Sequence, residues 1–152
     1  MTSTSFDRTL PVAIGCDHAG FEYKEKIAAL LREQGWTLQD HGAYSTESVD
    51  YPDMAHPVAK QVAAAKAAFG ILICGSGNGV AITANKEAQV RAALCWEQEL
   101  AKLARAHNNA NIICIPARFV SEQLATQMVL DFIATPFEGG RHQNRVNKIA
   151  GC

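Results

Sequence analysis

The sequence predicts an α/β fold: a three-layer α/β/α sandwich around a five-stranded parallel sheet, doubly wound and Rossmann-like. Three observations carry that expectation. Five short apolar, β-leaning runs recur along the chain, and longer alanine- and leucine-rich segments with helical periodicity follow them. Strand alternating with helix in this way means a parallel sheet covered on both faces, with right-handed crossovers. The chain has 152 residues, 48% hydrophobic and 19% charged, which suits one domain with a proper core. We therefore expect a single domain over 1–152, with residues 1–10 as a flexible N-terminal extension.

The elements follow in order. "LPVAIGC" is the first strand, and "FEYKEKIAALLREQG" the first helix, with Ile27, Leu30 and Leu31 on one face and Gly35 as its C-cap. "WTLQDHG" is the second strand. A long loop, "GAYSTESVDYPDMAH", precedes the helix "PVAKQVAAAKAA", in which Pro57 is tolerable only in a first turn. "FGILIC" leads into the helix "GVAITANKEA", and "VRAALC" into "EQELAKLARAH". "NIICIP" leads into "SEQLATQMVLDFIA", where Ser121 is a natural N-cap and Leu124, Met128 and Phe132 form the buried stripe. The tail "FEGGRHQNRVNKIAGC" falls outside the alternation.

The formal net charge of -1 argues against a nucleic-acid binder driven by bulk charge. No apolar run approaches the roughly 18 residues of a membrane span, and the N-terminus "MTSTSFDRTLP" lacks the apolar middle of a secretion signal. No nucleic-acid or membrane partner is expected. The five cysteines are odd in number and contain no C-x-x-C pair, so we expect neither disulfides nor a zinc site, but a reduced, cytoplasmic setting.

In doubly wound folds, ligands bind beyond the carboxyl ends of the strands, where strand order reverses. The residues leaving the strands are Asp17-His18, Cys74-Gly75-Ser76, Cys95-Trp96 and Pro116-Ala117-Arg118. If order reverses after the second strand, Asp17-His18 and Cys74–Ser76 face one crevice. The loop "GSGNG" lacks the lysine and hydroxyl of a P-loop. It is a short turn into a helix N-terminus, which favours negative charge; a plain tight turn is the alternative. Cys16, Cys95 and Cys114 read as small apolar core residues. Cys74 differs in standing at a strand end beside that helix, where a thiolate is favoured and can act as nucleophile or proton acceptor.

Other groups are open to two readings. Asp17 and His18 either serve chemistry or cap the next helix. His107 closes a helix in "RAHNNANI", with Asn108 or Asn109 taking the left-handed cap. In "GGRHQNR", the Gly139-Gly140 pair permits a sharp turn, and Arg141, Arg145 and Lys148 share one face of a helix. Two arginines at a helix start suit a phosphate; a solvated basic face is the alternative. Together these features suit cofactor-free and metal-free chemistry on a small phosphorylated substrate.

The landmarks "GCDHAGF", "DYPD", "ILICGSGNGVAITANK", "RAALC", "ARAHNNANI" and "FEGGRHQNRV" run from about Val12 to Ala150. In order and spacing they resemble the type B ribose-5-phosphate isomerases, the family that includes the allose- and galactose-6-phosphate isomerases. The resemblance implies a cofactor-free interconversion of D-ribose 5-phosphate and D-ribulose 5-phosphate in the pentose phosphate pathway. It also implies strand order 2-1-3-5-4 and a homodimer with sites at the subunit interface, and it leaves open pairing into tetramers. Carried over by position, Cys74 is the base that moves a proton between carbons 1 and 2. Ser76 and the amides of Gly75, Gly77, Asn78 and Gly79 hold the enediolate. His107 opens the furanose ring, with Asp17 and Asn108 nearby. His18, Arg118, Arg141 and Arg145 contact phosphate and substrate, some from the second subunit, and Tyr51 lines the site. Relatives often have threonine at Ser76, and a branch with a glutamate base has it at the position of Val80, so this chain matches the cysteine branch. Two rival readings stay open here: an isomerase of six-carbon 6-phosphates, and a phosphosugar-binding module without turnover.

Overall fold

The computed structural model describes residues 6–151. Its strands are β1 (Val12–Cys16), β2 (Leu38–Asp40), β3 (Gly70–Cys74), β4 (Ala92–Leu94) and β5 (Ile112–Pro116). They pair in the order β2-β1-β3-β5-β4, all parallel. The helices are α1 (Phe21–Glu33), α2 (Tyr51–Ala63), α3 (Asn78–Ala84), α4 (Gln98–Asn108), α5 (Glu122–Ala134) and α6 (Arg141–Asn147), and a single 3₁₀ turn, His18–Gly20, separates β1 from α1. Among the described residues, no helix is long and apolar enough to cross a membrane.

The pleat of the sheet explains the three layers. Successive side chains of a strand point to opposite faces. Val12, Ile14, Cys16, Ile71, Ile73, Ile113 and Ile115 face one side, where Ile27 and Leu31 of α1, Ala101 and Ala104 of α4, and Met128, Val129 and Phe132 of α5 cover them. Ala13, Leu72, Cys74, Ile112 and Cys114 face the other, against Ala55, Val58 and Ala59 of α2 and Val80 and Ala84 of α3. β1, β3 and β5 are buried along their whole length. Each fully buried isoleucine or leucine contributes about 1.5–3 kcal/mol relative to exposure.

Local signals behave as their chemistry requires. The Ser121 side chain accepts from the Leu124 amide and caps α5, whose buried stripe is Ala125, Met128, Val129 and Phe132, with Leu124 only half-buried. Asn109, at φ 47°, takes the left-handed cap of α4. Gly35 follows the end of α1 at φ +87°.

One expectation needs correction. The segment read as loop through His56 is helical from Tyr51, so Pro57 lies inside α2. Pro52 is the residue in the first turn, where the missing N–H costs nothing. The lost bond at Pro57 is offset by the packing of Ala55, Val58 and Ala59, all fully buried. Of the expected extension over 1–10, residues 1–5 lie outside the described residues, but the remainder packs on the fold. The Phe6 ring sits 4.6 Å from Phe69 and 5.7 Å from Phe132, with the Arg105 guanidinium 4.3 Å from its face. Arg8 lies 4.1 Å over the Trp36 ring and donates to the Gln34 carbonyl.

Candidate active site

The registers place the carboxyl ends of β1, β3 and β5 side by side: Cys16 is level with Ile73, and Cys74 with Pro116. The reversal of strand order between the first and third strands marks this end as the place where doubly wound sheets bind ligands. Cys74 ends β3 facing the α2–α3 side and is 5% exposed. The chain then turns through Gly75–Gly77 into α3. Gly77 adopts φ +73°, a conformation that favours glycine, and its amide donates to Cys74 Sγ at 3.2 Å. The Asn78 amide donates to Ser76 Oγ at 3.3 Å. Gly79 must also be small: a Cβ there would come within 2.5 Å of the Tyr51 ring, which stands at the start of α2.

Arg118 is drawn over this loop. Its amide donates to the Gly75 carbonyl at 3.0 Å, and its guanidinium stands 3.2 Å from where a Cβ on Gly75 would lie. The residue is exposed. At the end of β1, Asp17 Oδ1 accepts from the Ala19 and Gly20 amides at 2.9 and 3.2 Å, so Asp17 does cap the 3₁₀ turn. His18 Nδ1 accepts from the Val49 amide at 3.2 Å. That bond assigns the proton of a neutral ring to Nε2, leaving a donor free. Beside the loop, Ser76, Asn78, Leu94, Trp96, Pro116 and Phe119 line a cleft of about 440 Å³.

The other expected residues lie elsewhere on this chain. α4 runs back along the sheet, so His107 and Asn108 finish at the amino end of β5. Arg91, just before β4, donates from Nε to the Asn109 carbonyl at 2.9 Å and accepts from the Asn111 amide at 3.0 Å. The length of β5, roughly 13 Å by the ordinary rise per residue, separates that end from Cys74. Gly139 and Gly140, at φ +67° and +56°, turn the chain into α6 beside His107. Arg141 and Arg145 are one helical turn apart and exposed, and Lys148 caps the helix instead of extending the basic face within it. The expected set thus divides into two groups at opposite ends of the sheet.

Two residues around this second group, Glu138 and His142, escape the sequence reading. The His107 and His142 rings stack with centroids 4.2 Å apart and planes 12° from parallel. Glu138 Oε1 lies 3.7 Å from His107 Nε2 and 3.6 Å from His142 Nε2. Burial, then the neighbouring His107 and Arg141, hold His142 below the usual imidazole value. "FEGGRH" carried a signal in its Glu–His spacing of four, but only the arginines were singled out. A fully buried lysine, Lys24, was missed as well. It pairs with Asp40 at 2.8 Å and donates to the Ala43 carbonyl at 2.6 Å, tying α1 to the end of β2.

The remaining described cysteines behave as core. Burial pushes the Cys16 and Cys95 thiols up to about 12 and raises Cys114 well above the ordinary thiol value. All four described cysteines are free and buried. Val80 is fully buried, with no acid–base group to offer. Among the described residues, His107, Glu138 and His142 bring potential metal-ligand atoms within 4.8 Å of one another.

Comparison with known proteins adds independent observations. A family model described as Ribose/Galactose Isomerase matches residues 12–149. The chain is 45% identical over 138 residues to ribose-5-phosphate isomerase B of Escherichia coli, covering 91% of this chain and 93% of that one. The structure superposes on a ribose 5-phosphate isomerase from Thermotoga maritima with TM-score 0.90 and 49% identity, covering 93% and 97% of the two chains. It also superposes on ribose-5-phosphate isomerase B of Mycoplasma genitalium, solved with ribulose-5-phosphate bound, with TM-score 0.91, 40% identity and coverage of 95% and 96%.

Proposed function

Because this chain belongs to the ribose/galactose isomerase family, we propose that it interconverts D-ribose 5-phosphate and D-ribulose 5-phosphate without a cofactor. The observation that carries this reading is the Cys74 sulfur at the carboxyl end of β3, held 3.2 Å from the Gly77 amide at the start of α3.

An aldose–ketose isomerase must open the sugar ring, remove a proton beside a carbonyl and return it one carbon away. In ring opening, His107 gives a proton to the ring oxygen as the anomeric hydroxyl loses one. The Cys74 thiolate then takes the proton from carbon 2. The electron pair moves into the bond between carbons 1 and 2, and the aldehyde oxygen becomes an enediolate oxygen. The amides of Gly75 to Gly79 and the Ser76 hydroxyl receive that charge; one such donor is worth about 2.7–4 kcal/mol of barrier. A proton passes from oxygen 2 to oxygen 1, Cys74 returns its proton to carbon 1, and the ketose results. His18 and Arg118 hold the phosphate from one side, Arg141 and Arg145 from the other, and this tether brings carbons 1 and 2 to the sulfur. Tyr51 walls the site, and Asp17 holds the turn that presents His18.

The separation of His107 and Cys74 on one chain supports a homodimer. A two-fold axis that lays the His107 end of one copy on the Cys74 end of its mate completes two equal sites. Asn108, Arg141 and Arg145 then arrive with His107. Four buried free thiols suit a reducing compartment such as the cytoplasm.

The test is a ribose 5-phosphate isomerisation assay on wild-type protein beside Cys74→Ala, with allose 6-phosphate in parallel. Wild type should turn over ribose 5-phosphate faster than the six-carbon phosphate. The variant should lose turnover while retaining phosphate-dependent binding. Equal loss of both would make Cys74 structural.

A further inference from the structure

Around His107 the structure is more elaborate than ring opening by one histidine demands. The Glu138 amide donates to the Ala106 carbonyl at 2.9 Å, fixing its backbone to the last turn of α4 beside His107. His142 stands four residues on, with its side chain only 10% exposed. Its amide closes the Gly139–Gly140 turn by donating to the Gly139 carbonyl at 3.0 Å. Both imidazoles hold Nε2 near one oxygen of Glu138, at distances beyond a hydrogen bond but within ion-pair reach.

Two imidazoles and a carboxylate are also the residue types of a metal set. Here the rings lie 12° from parallel and 4.2 Å apart, so their nitrogen lone pairs run side by side instead of converging on one ion. Arg141, adjacent to His142 in α6, adds positive charge at the same turn. The arrangement suits a held histidine better than a held cation.

We propose that Glu138 and His142 are positioning residues that clamp the His107 imidazole, His142 by its ring face and Glu138 by its carboxylate at Nε2, so that one nitrogen and one orientation are offered to the sugar ring. The clamp rests on the isomerase reading above and deepens it. It also ties the ring-opening group to α6: the stack that fixes His107 fixes the start of the helix bearing Arg141 and Arg145. One substrate molecule then meets its ring-opening acid and its phosphate grip in a constant relation, which proximity catalysis requires.

An exposed carboxylate–imidazole pair adds little to stability, and that separates positioning from structure. The experiment uses the full chain with Glu138→Gln, His142→Ala and His142→Phe. It compares turnover of cyclic ribose 5-phosphate with solvent-deuterium incorporation at carbon 1 of ribulose 5-phosphate, an open-chain ketose that needs no ring opening. Glu138→Gln should lower kcat for ribose 5-phosphate about tenfold or more. Deuterium incorporation and the melting temperature should stay close to wild type. His142→Ala should lose ring-opening turnover, and His142→Phe, which keeps a stacking face, should recover most of it. A parallel fall of turnover and exchange, or no change in either, overturns the clamp. If wild-type protein neither turns over nor exchanges, the isomerase reading fails instead. The clamp is then judged by the imidazole nitrogen NMR signals of His107: one set of ring signals in wild type that becomes a mixture in Glu138→Gln supports it, and unchanged signals overturn it.

Discussion

Replacing Gly77 by alanine strikes the turn on which the chemistry depends. Gly77 holds φ +73°, where an L-residue costs roughly 1–2 kcal/mol. The added Cβ would overlap Leu94 Cδ1 and stand 3.2 Å from the Pro116 nitrogen and 3.3 Å from the Ile115 carbonyl carbon. The leucine methyl is the severe overlap; the two β5 backbone contacts are tight but need yield only a few tenths of an ångström. Overpacking of this kind costs about 1–3 kcal/mol, so the total is about 2–5 kcal/mol. For a chain of this size that lowers the melting temperature by roughly 4–20 °C. Removing the obstructing side chain with Leu94→Ala should restore the steric part and leave the backbone part. Urea unfolding of the four members of the cycle should therefore give a favourable coupling of about 1–3 kcal/mol. Turnover of ribose 5-phosphate should fall in Gly77→Ala beyond what the lost stability explains, because the Gly77 amide contacts Cys74 Sγ at 3.2 Å. Additive effects within about 0.5 kcal/mol, or full activity in Gly77→Ala, would refute the reasoning.

Two further outcomes are expected. Arg141→Ala should raise KM for ribose 5-phosphate roughly 10- to 100-fold, the worth of a charged hydrogen bond, with a smaller change in kcat; an unchanged KM in steady-state kinetics removes Arg141 from the phosphate site. Burial raises Cys16 and Cys95 from 9.0 to about 12, so above pH 9 the unfolded chain releases thiol protons that the native state keeps. Stability therefore falls as pH rises through this window, by about 1.4 kcal/mol for each thiol at pH 10. Urea midpoints at pH 8 and 10 should show a smaller drop in a Cys16→Ala/Cys95→Ala variant, and equal drops in variant and wild type would contradict the assignment.

The sheet was legible because its signal is local: "VAIGC", "GILIC" and "NIICIP" are unbroken apolar runs between helical periods, and sequence order plus handedness leaves few topologies. Ser121 and Asn109 were legible for the same reason, since a cap is chemistry within a few residues. The start of α2 was not. Pro57 outweighed Pro52 as a boundary signal, and only the packing of Val58 and Ala59 on the sheet reveals that the helix runs through it. Lys24 was invisible because its partner Asp40 belongs to a neighbouring strand. Asp17, Cys74 and Arg118 could be brought together by the rule for strand ends, whereas His107 and Arg141 could not, because the fold carries them to the other end of the sheet. The stack of His107 on His142 depends on the Gly139–Gly140 turn, whose direction a sequence does not specify.

Complementation between inactive variants tests the shared site most directly. Cys74→Ala and His107→Ala proteins, each with little turnover alone, are mixed in equal amounts, dissociated and allowed to re-associate. If Cys74 and His107 of one site come from different copies, each mixed dimer holds one site with both residues intact, and random pairing restores about a quarter of wild-type turnover. If both residues serve a site within one chain, every site in the mixture lacks one of them and turnover stays at the level of the separate variants.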